Sequence, residues 1–454
     1  MEKKLSYERK NCWLKYSEKE TKKAMSYAED YKEFLSISKT ERLTVVNIRK
    51  LALKNNFTEN SKTKFIIENK NKNLAIISMR AISPLKGVGL IGSHIDVPRI
   101  DLKQIPLYEK EDIAHFKTHY YGGIKKYHWL SRPLAMYGVI FLKNGKKLDI
   151  SIGDKDNDPV FVINDLLPHL SRLQFSKTVS DAFEGEKLNI IVGSIPLKKI
   201  EKDAIKANVL KIINDTYGIE EEDFVSAEIE IVPQGKARDI GFDRGLVGGY
   251  GHDDRICGYT SARAIFEAKN KRTVCAILFD KEEVGSQGST GAKSKFIEDI
   301  IIEILKKAGE KPTYENIRRV MKNSDLLSSD VSCGIDPDFQ EVHEKQNGAK
   351  IGFGLVITKY TGSGGKYGAN DANAEFVFKV REIFNKAGVI WQTAELGKVD
   401  AGGGGTIAAH LANYGINVID CGTALLGMHS PFEIASKSDL YETFKGYKAF
   451  FEAI

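Results

Sequence analysis

Cysteine is scarce in this 454-residue chain, and its five copies have no paired spacing. Cys12, Cys257, Cys275, Cys333 and Cys421 stand singly, with no C-x-x-C motif. Scattered thiols in odd number argue against a disulfide framework and for a reducing compartment, so a cytoplasmic protein is expected. Cys275 and Cys421 fall in apolar strand patterns and read as core residues. Charge of one sign is missing too: 67 basic against 61 acidic residues leave a net charge of +6 on a mixed surface. The Lys-rich stretch 21–43 (TKKAMSYAEDYKEFLSISKTERL) alternates in sign, as a solvated helix does, and no nucleic-acid motif accompanies it. Nucleic acid is therefore not an expected partner. No apolar run approaches the roughly 18 residues of a membrane span. MEKKLSYERKNCW has the positive start of a signal peptide without its apolar segment, so no membrane partner is expected either. Internal repeats and low-complexity tracts are absent, and prolines number only 11.

What is present is an ordinary globular composition, 42% hydrophobic and 28% charged. The length is too great for one simple core, which makes two domains the default. Residues 18–55 carry Ala24, Tyr27, Tyr31 and Leu35 at helical spacing, followed by a second helix at TERLTVVNIRKLALKN. NLAIISMR and GVGLIGSHID read as two neighbouring strands buried on both faces. Between about 103 and 238 the texture becomes short alternating strands (YGVIFLKNG, KKLDISIG, EKLNIIVGSIP, SAEIEIVP), the pattern of a β-rich insertion. Strand and helix then alternate again, from RICGYTSARAIFEAKN and RTVCAILFDKEEVG through SKFIEDIIIEILKKAG to INVIDCGTAL. The expected fold is α/β, a mixed, largely parallel sheet flanked by helices. Residues 1–102 and 239–454 form that domain, and 103–238 the inserted β-rich one.

Polar side chains recur where the apolar strands end. LIGSHIDVPRIDL closes on His94 and Asp96, GHDDR carries Asp253 and Asp254, and FDKEEVGS carries Glu282 and Glu283. SSDVS adds Asp330 and GMHSP adds His429. Sites in open α/β sheets gather beyond the carboxyl ends of strands, so these loops can converge. Histidines with carboxylates and no thiolate pair suit a catalytic zinc, cobalt or manganese centre. Two histidines and three or more carboxylates exceed the needs of one open zinc site and point to two divalent ions per subunit. Buried carboxylates in that number require cations between them. Asp96, two residues along from His94, points the same way and can hold that histidine's orientation.

The set of motifs resembles the aspartyl aminopeptidase and aminopeptidase I family of dinuclear zinc exopeptidases, over essentially the whole chain. The resemblance implies that His94, Glu283, Asp330 and His429 hold the metals and that Asp253 bridges them. It leaves Glu282 free as general base, taking a proton from a water bridged between the ions and passing it to the leaving amine. Asp96 joins Glu282 among the expected catalytic residues. His169, in LLPHLSRLQ, matches a Pro-His-Leu loop that a neighbouring subunit extends towards the active site, a substrate-binding role. The resemblance also implies that the inserted domain makes a dimer and that the dimers build a shell of twelve subunits.

Two Gly-rich stretches lie near the C-terminus. GKVDAGGGGTIA lacks a Walker lysine, and its backbone is suited to approach a substrate closely. TGSGGKYGAND places Lys366 where it can face an acidic substrate side chain. The doublet reads Asp-Asp-Arg where other family members have Asp-Asn, so acidic and neutral N-terminal residues both remain as substrates. A different dinuclear amide hydrolase (a deacylase or carboxypeptidase) is the alternative enzyme. A catalytically dead scaffold is the alternative outside enzymes, and its mark would be a lost ligand or base.

Overall fold

The computed structural model describes residues 5–454. The chain divides into two compact units: Met1–Asp96 with Lys236–Met428 and Phe432–Ile454, and Val97–Gly235 with His429–Pro431. Both boundaries fall beside strands. Arg99–Lys110 lies wholly in the second unit and Arg238–Ile240 in the first, where the expectation drew its lines at 103 and 238. A composition shift marks where texture changes, not which sheet a strand joins.

The first unit opens with two capped helices. Ser17 and Glu20 satisfy each other's backbone N–H groups at the start of Glu18–Ile37, which buries Ala24, Tyr27, Tyr31 and Leu35. Thr40 caps Glu41–Lys54 by accepting from Leu43 N–H. Eight strands form the central sheet in the order Lys64–Asn69, Asn73–Ser78, Val274–Phe279, Gly89–His94, Asp325–Ser328, Asn417–Gly422, Leu355–Thr358 and Trp391–Thr393. Four neighbouring pairs run parallel and three antiparallel. Helices Glu18–Ile37, His252–Glu267, Ala374–Ala387 and Lys437–Ala453 pack into one apolar layer, and Phe296–Lys307 with Ala408–Ala412 into the other. The sheet is buried between them, as its near-continuous apolar strands require. All five cysteines are free thiols, and Cys275 and Cys421 sit in the core. Among the described residues no helix is long and apolar enough to cross a membrane.

One expectation is overturned. Asn73–Ser78 and Gly89–His94 are not neighbours, because Val274–Phe279 lies between them, antiparallel to the first and parallel to the second. The connection at 79–88 holds a 3-10 turn at Pro84–Lys86 and steps across two strand spacings, about 10 Å. Doubly buried strands look alike in sequence, so adjacency along the chain misleads.

A smaller sheet in the same unit runs Arg238–Ile240, Leu246–Gly249, Glu433–Ser436, Ala424–Leu426 and Ser332–Cys333. The second unit is a six-stranded antiparallel sheet, Lys147–Ile152, Leu134–Phe141, Ala227–Pro233, Arg99–Lys110, Ile113–Tyr121 and Ile190–Gly193, with one long helix at Ala204–Tyr217.

Candidate metal centre

Three adjacent parallel strands of the central sheet end at one edge, and register places their polar residues together. Phe279 pairs with His94, and Ser328 pairs with Gly92. Asp330, two residues past Ser328, therefore comes level with His94, while Glu282 and Glu283 follow just beyond Phe279 in a 3-10 turn. Asp253 and Asp254 arrive from the start of His252–Glu267. That helix is entered through Gly251 at φ +79°, where a Cβ would lie 1.6 Å from Arg255 Nη2, so only glycine fits.

His94 is buried at the centre. Its Nδ1 lies 3.1 Å from the Asp96 carbonyl, which can only accept, so Nδ1 carries the hydrogen. Nε2 is thereby turned to the pocket, 3.1 Å from Asp253 Oδ1, 3.7 Å from Asp330 Oδ1 and 4.0 Å from Glu282 Oε2. Two sets of ligand atoms lie within 4.8 Å of one another: His94, Asp253 and Glu283, and His94, Asp254 and Asp330.

The electrostatics call for cations. Burial alone would lower the His94 pKa, yet Asp330, Asp253 and Asp96 together raise it well above the usual imidazole range. Burial and the Asp330 charge push Asp254 well above the carboxylate range. Burial raises Asp330 against the pull of His94. Glu282 is pushed up to about 8, by burial first and then by Asp330, Asp96 and Asp253, with His94 opposing. Both oxygens of Asp254 are buried without a nitrogen or oxygen donor among the described residues, only the weak Cys257 thiol assisting. One buried imidazole among six carboxylates, Asp254, Glu282 and Asp330 of them held above the usual range, is a donor set that fits divalent ions and little else.

Residues outside this set hold the turns that carry it. The Asp96 carboxylate accepts the backbone N–H groups of Glu282 at 3.1 Å and Glu283 at 3.2 Å. Its expected grip on His94 is made more closely by its carbonyl than by its carboxylate, the latter at 3.4 Å. The turn bearing Asp330 is fixed by Tyr447, whose hydroxyl accepts from Ser329 Oγ and donates to the Cys421 carbonyl, both at 2.6 Å. Gly422 backs that turn, and a Cβ there would come 1.9 Å from the Asp330 carbonyl oxygen.

His94, Asp96, Asp253, Glu282, Glu283 and Asp330 thus lie together. His429 belongs to the second unit, where its Nδ1 lies 2.9 Å from the Gly123 carbonyl. His169 is exposed in a 3-10 turn at Pro168–Leu170. Lys366 lies 3.0 Å from Asp371 and 3.8 Å from the centre of the Tyr360 ring. The two Gly-rich stretches pair with each other, Gly362 with Gly404 and Ser363 with Gly403. Sequence reasoning gave Asp254 no role, although its burial beside His94 puts it in a ligand group. Tyr447 went unnoticed, since no spacing rule links it to Ser329.

Fold and side-chain cluster together fit a metal-dependent enzyme. The sequence profile of the Aminopeptidase I zinc metalloprotease family (M18) matches residues 34–451. A probable M18 family aminopeptidase 1 from Clostridium acetobutylicum is 51% identical over 456 residues, covering 98% of each chain. Its namesake from Thermotoga maritima is 48% identical, covering 99% of this chain and 100% of that one. The crystal structure of an M18-family aminopeptidase from Thermotoga maritima superposes with a TM-score of 0.95 at 48% identity, over 99% of this chain and 100% of that one. The chain belongs to the M18 aminopeptidase I family and is a zinc-dependent aminopeptidase.

Proposed function

We propose that the chain removes N-terminal residues from peptides with two divalent ions, most simply zinc, held by His94, Asp253, Glu283, Asp330 and His429. Asp253, with Oδ1 3.1 Å from His94 Nε2, would be the carboxylate shared between the ions. When bound, zinc supplies Lewis acidity, polarising the scissile carbonyl and bringing the pKa of water towards 7. Glu282 takes the proton from the attacking water and returns it to the leaving amine. One observation carries this division of labour: Glu283 stands in a ligand group with His94 and Asp253, and Glu282 stands in neither group. Asp96 then acts as the anchor of both glutamates through their N–H groups.

Acidic N-terminal residues are the preferred substrates, with neutral ones accepted. Lys366 is the cation available to an acidic side chain, and Tyr360 and Asp371 hold it ready. The protein works as a homo-oligomer in the cytoplasm, where its free thiols stay reduced. A structural neighbour at 22% identity, mApe1 of S. cerevisiae, is a dodecamer. Around His169, Leu167, Leu170, Leu173 and Phe175 are all exposed, an apolar surface that suits a second copy presenting His169 to its substrate.

The deciding experiment compares Glu282→Gln with Glu283→Gln. Glu282→Gln should keep its zinc and lose kcat by on the order of 100-fold or more, while Glu283→Gln should lose zinc as well. The reverse pattern would exchange the two roles.

A further inference from the structure

Asp253 is held through its backbone by a residue far away in sequence. Its N–H donates to Glu433 Oε2 at 3.0 Å, in a fully buried setting. Glu433 opens the strand Glu433–Ser436 of the smaller sheet, where it pairs with Gly249, four residues before Asp253. The carboxylate thus reaches from a strand already fixed by its ladder to the first turn of His252–Glu267. Asp253 has non-helical backbone angles there (φ −78°, ψ 108°), so the helix's own hydrogen bonds do not set its orientation. The preceding residue is braced as well, His252 Nδ1 lying 2.8 Å from the Tyr31 hydroxyl. A negative side chain placed close to a crowd of carboxylates raises the electrostatic cost of the pocket, and such an arrangement calls for a local reason. Capture of the Asp253 amide supplies one.

We propose that Glu433 is a positioning residue for metal binding: by accepting the Asp253 N–H it aims the Asp253 carboxylate at the ion site. The proposal rests on the reading of Asp253 as a metal ligand. Glu433 touches neither substrate nor reacting atoms in this role, and what it contributes is the accepting oxygen, not the charge. Loss of a residue that orients a ligand costs metal affinity by about 10- to 100-fold.

The test is zinc titration of the purified full-length chain against a chromophoric chelator, with zinc alone as the probe. Glu433→Ala should weaken at least one of two sites by about 10- to 100-fold, and Glu433→Gln, which keeps an accepting oxygen, should stay within about threefold of the wild type. Wild-type affinity in Glu433→Ala would overturn the proposal. Equal losses in Glu433→Ala and Glu433→Gln would overturn it too, because charge rather than aim would then be at stake. Should Glu433→Ala fail to fold, Glu433→Asp takes its place: it withdraws the oxygen by one methylene and should also weaken binding at least about tenfold. Unchanged affinity in that variant counts against the proposal. A wild-type chain that binds no zinc fails the dinuclear reading itself. Two intact sites in the wild type with no effect of these substitutions fails only the role of Glu433.

Discussion

Asp96 shows how one buried residue can serve two strand ends at once, through its backbone and its side chain. Its carbonyl sets the His94 ring, and its carboxylate receives two amides of the turn that carries Glu282 and Glu283. Hydrogen bonds to a charged acceptor are worth about 1.5–3 kcal/mol each, so the turn is firmly held. Replacing Asp96 with Ala should lower kcat by about 10- to 100-fold, and Asp96→Asn, with one accepting oxygen left, should lose less. Steady-state kinetics on zinc-loaded protein will tell, and an unimpaired Asp96→Ala would remove the anchor role. At this scale the sequence marks the strand-end residues, Asp96 among them, and is silent about supports such as Tyr447 and Ser329. A histidine or carboxylate finishing an apolar strand stands out, because nothing in a sheet needs it there. Tyr447 and Ser329 touch across 118 residues, and both types are ordinary in buried helices and loops. The substrate side chain is a further residue-scale question. If Lys366 reads it, Lys366→Ala should lower kcat/KM for Glu substrates relative to Leu substrates, and an unchanged ratio would release Lys366 from that role.

At the scale of elements, the edge of the central sheet depends on close backbone approach. Gly422, closing the strand Asn417–Gly422, abuts the Asp330 carbonyl so tightly that a methyl group there must displace the turn. Gly422→Ala should therefore destabilise the chain and weaken zinc binding together, by at least about 1 kcal/mol in urea unfolding. Tyr447→Phe keeps the ring but strips a partner from Ser329 and Cys421, and should cost about 1–3 kcal/mol in the same urea unfolding. Helices Glu18–Ile37 and Glu41–Lys54 were legible from their apolar stripes, while the caps Ser17 and Thr40 emerge only in the structure. The order of strands was not. Asn73–Ser78, Gly89–His94 and Val274–Phe279 are all fully buried, and buried runs carry no mark of their neighbour. Distance along the chain was the only guide, and the strand from beyond the insertion displaced it.

For the whole molecule, assembly is the open prediction. Light scattering at micromolar concentration should give a mass well above the 50.6 kDa of one chain. A Leu173→Asp, Phe175→Asp double variant should shift the population to smaller species, since two charges would enter the exposed apolar surface proposed to receive a second copy. A wild-type monomer would count against the oligomer. The divided first unit also bears on synthesis. Gly89–His94 is flanked by Val274–Phe279 and Asp325–Ser328, so its nearer partner leaves the ribosome about 180 residues later. At roughly 5–20 residues per second the nascent strand keeps both edges bare for about 10–40 s. An open, apolar edge of that kind invites pairing with other chains. The larger unit, which carries all the candidate metal ligands but His429, is thus the last part of the translation product to close.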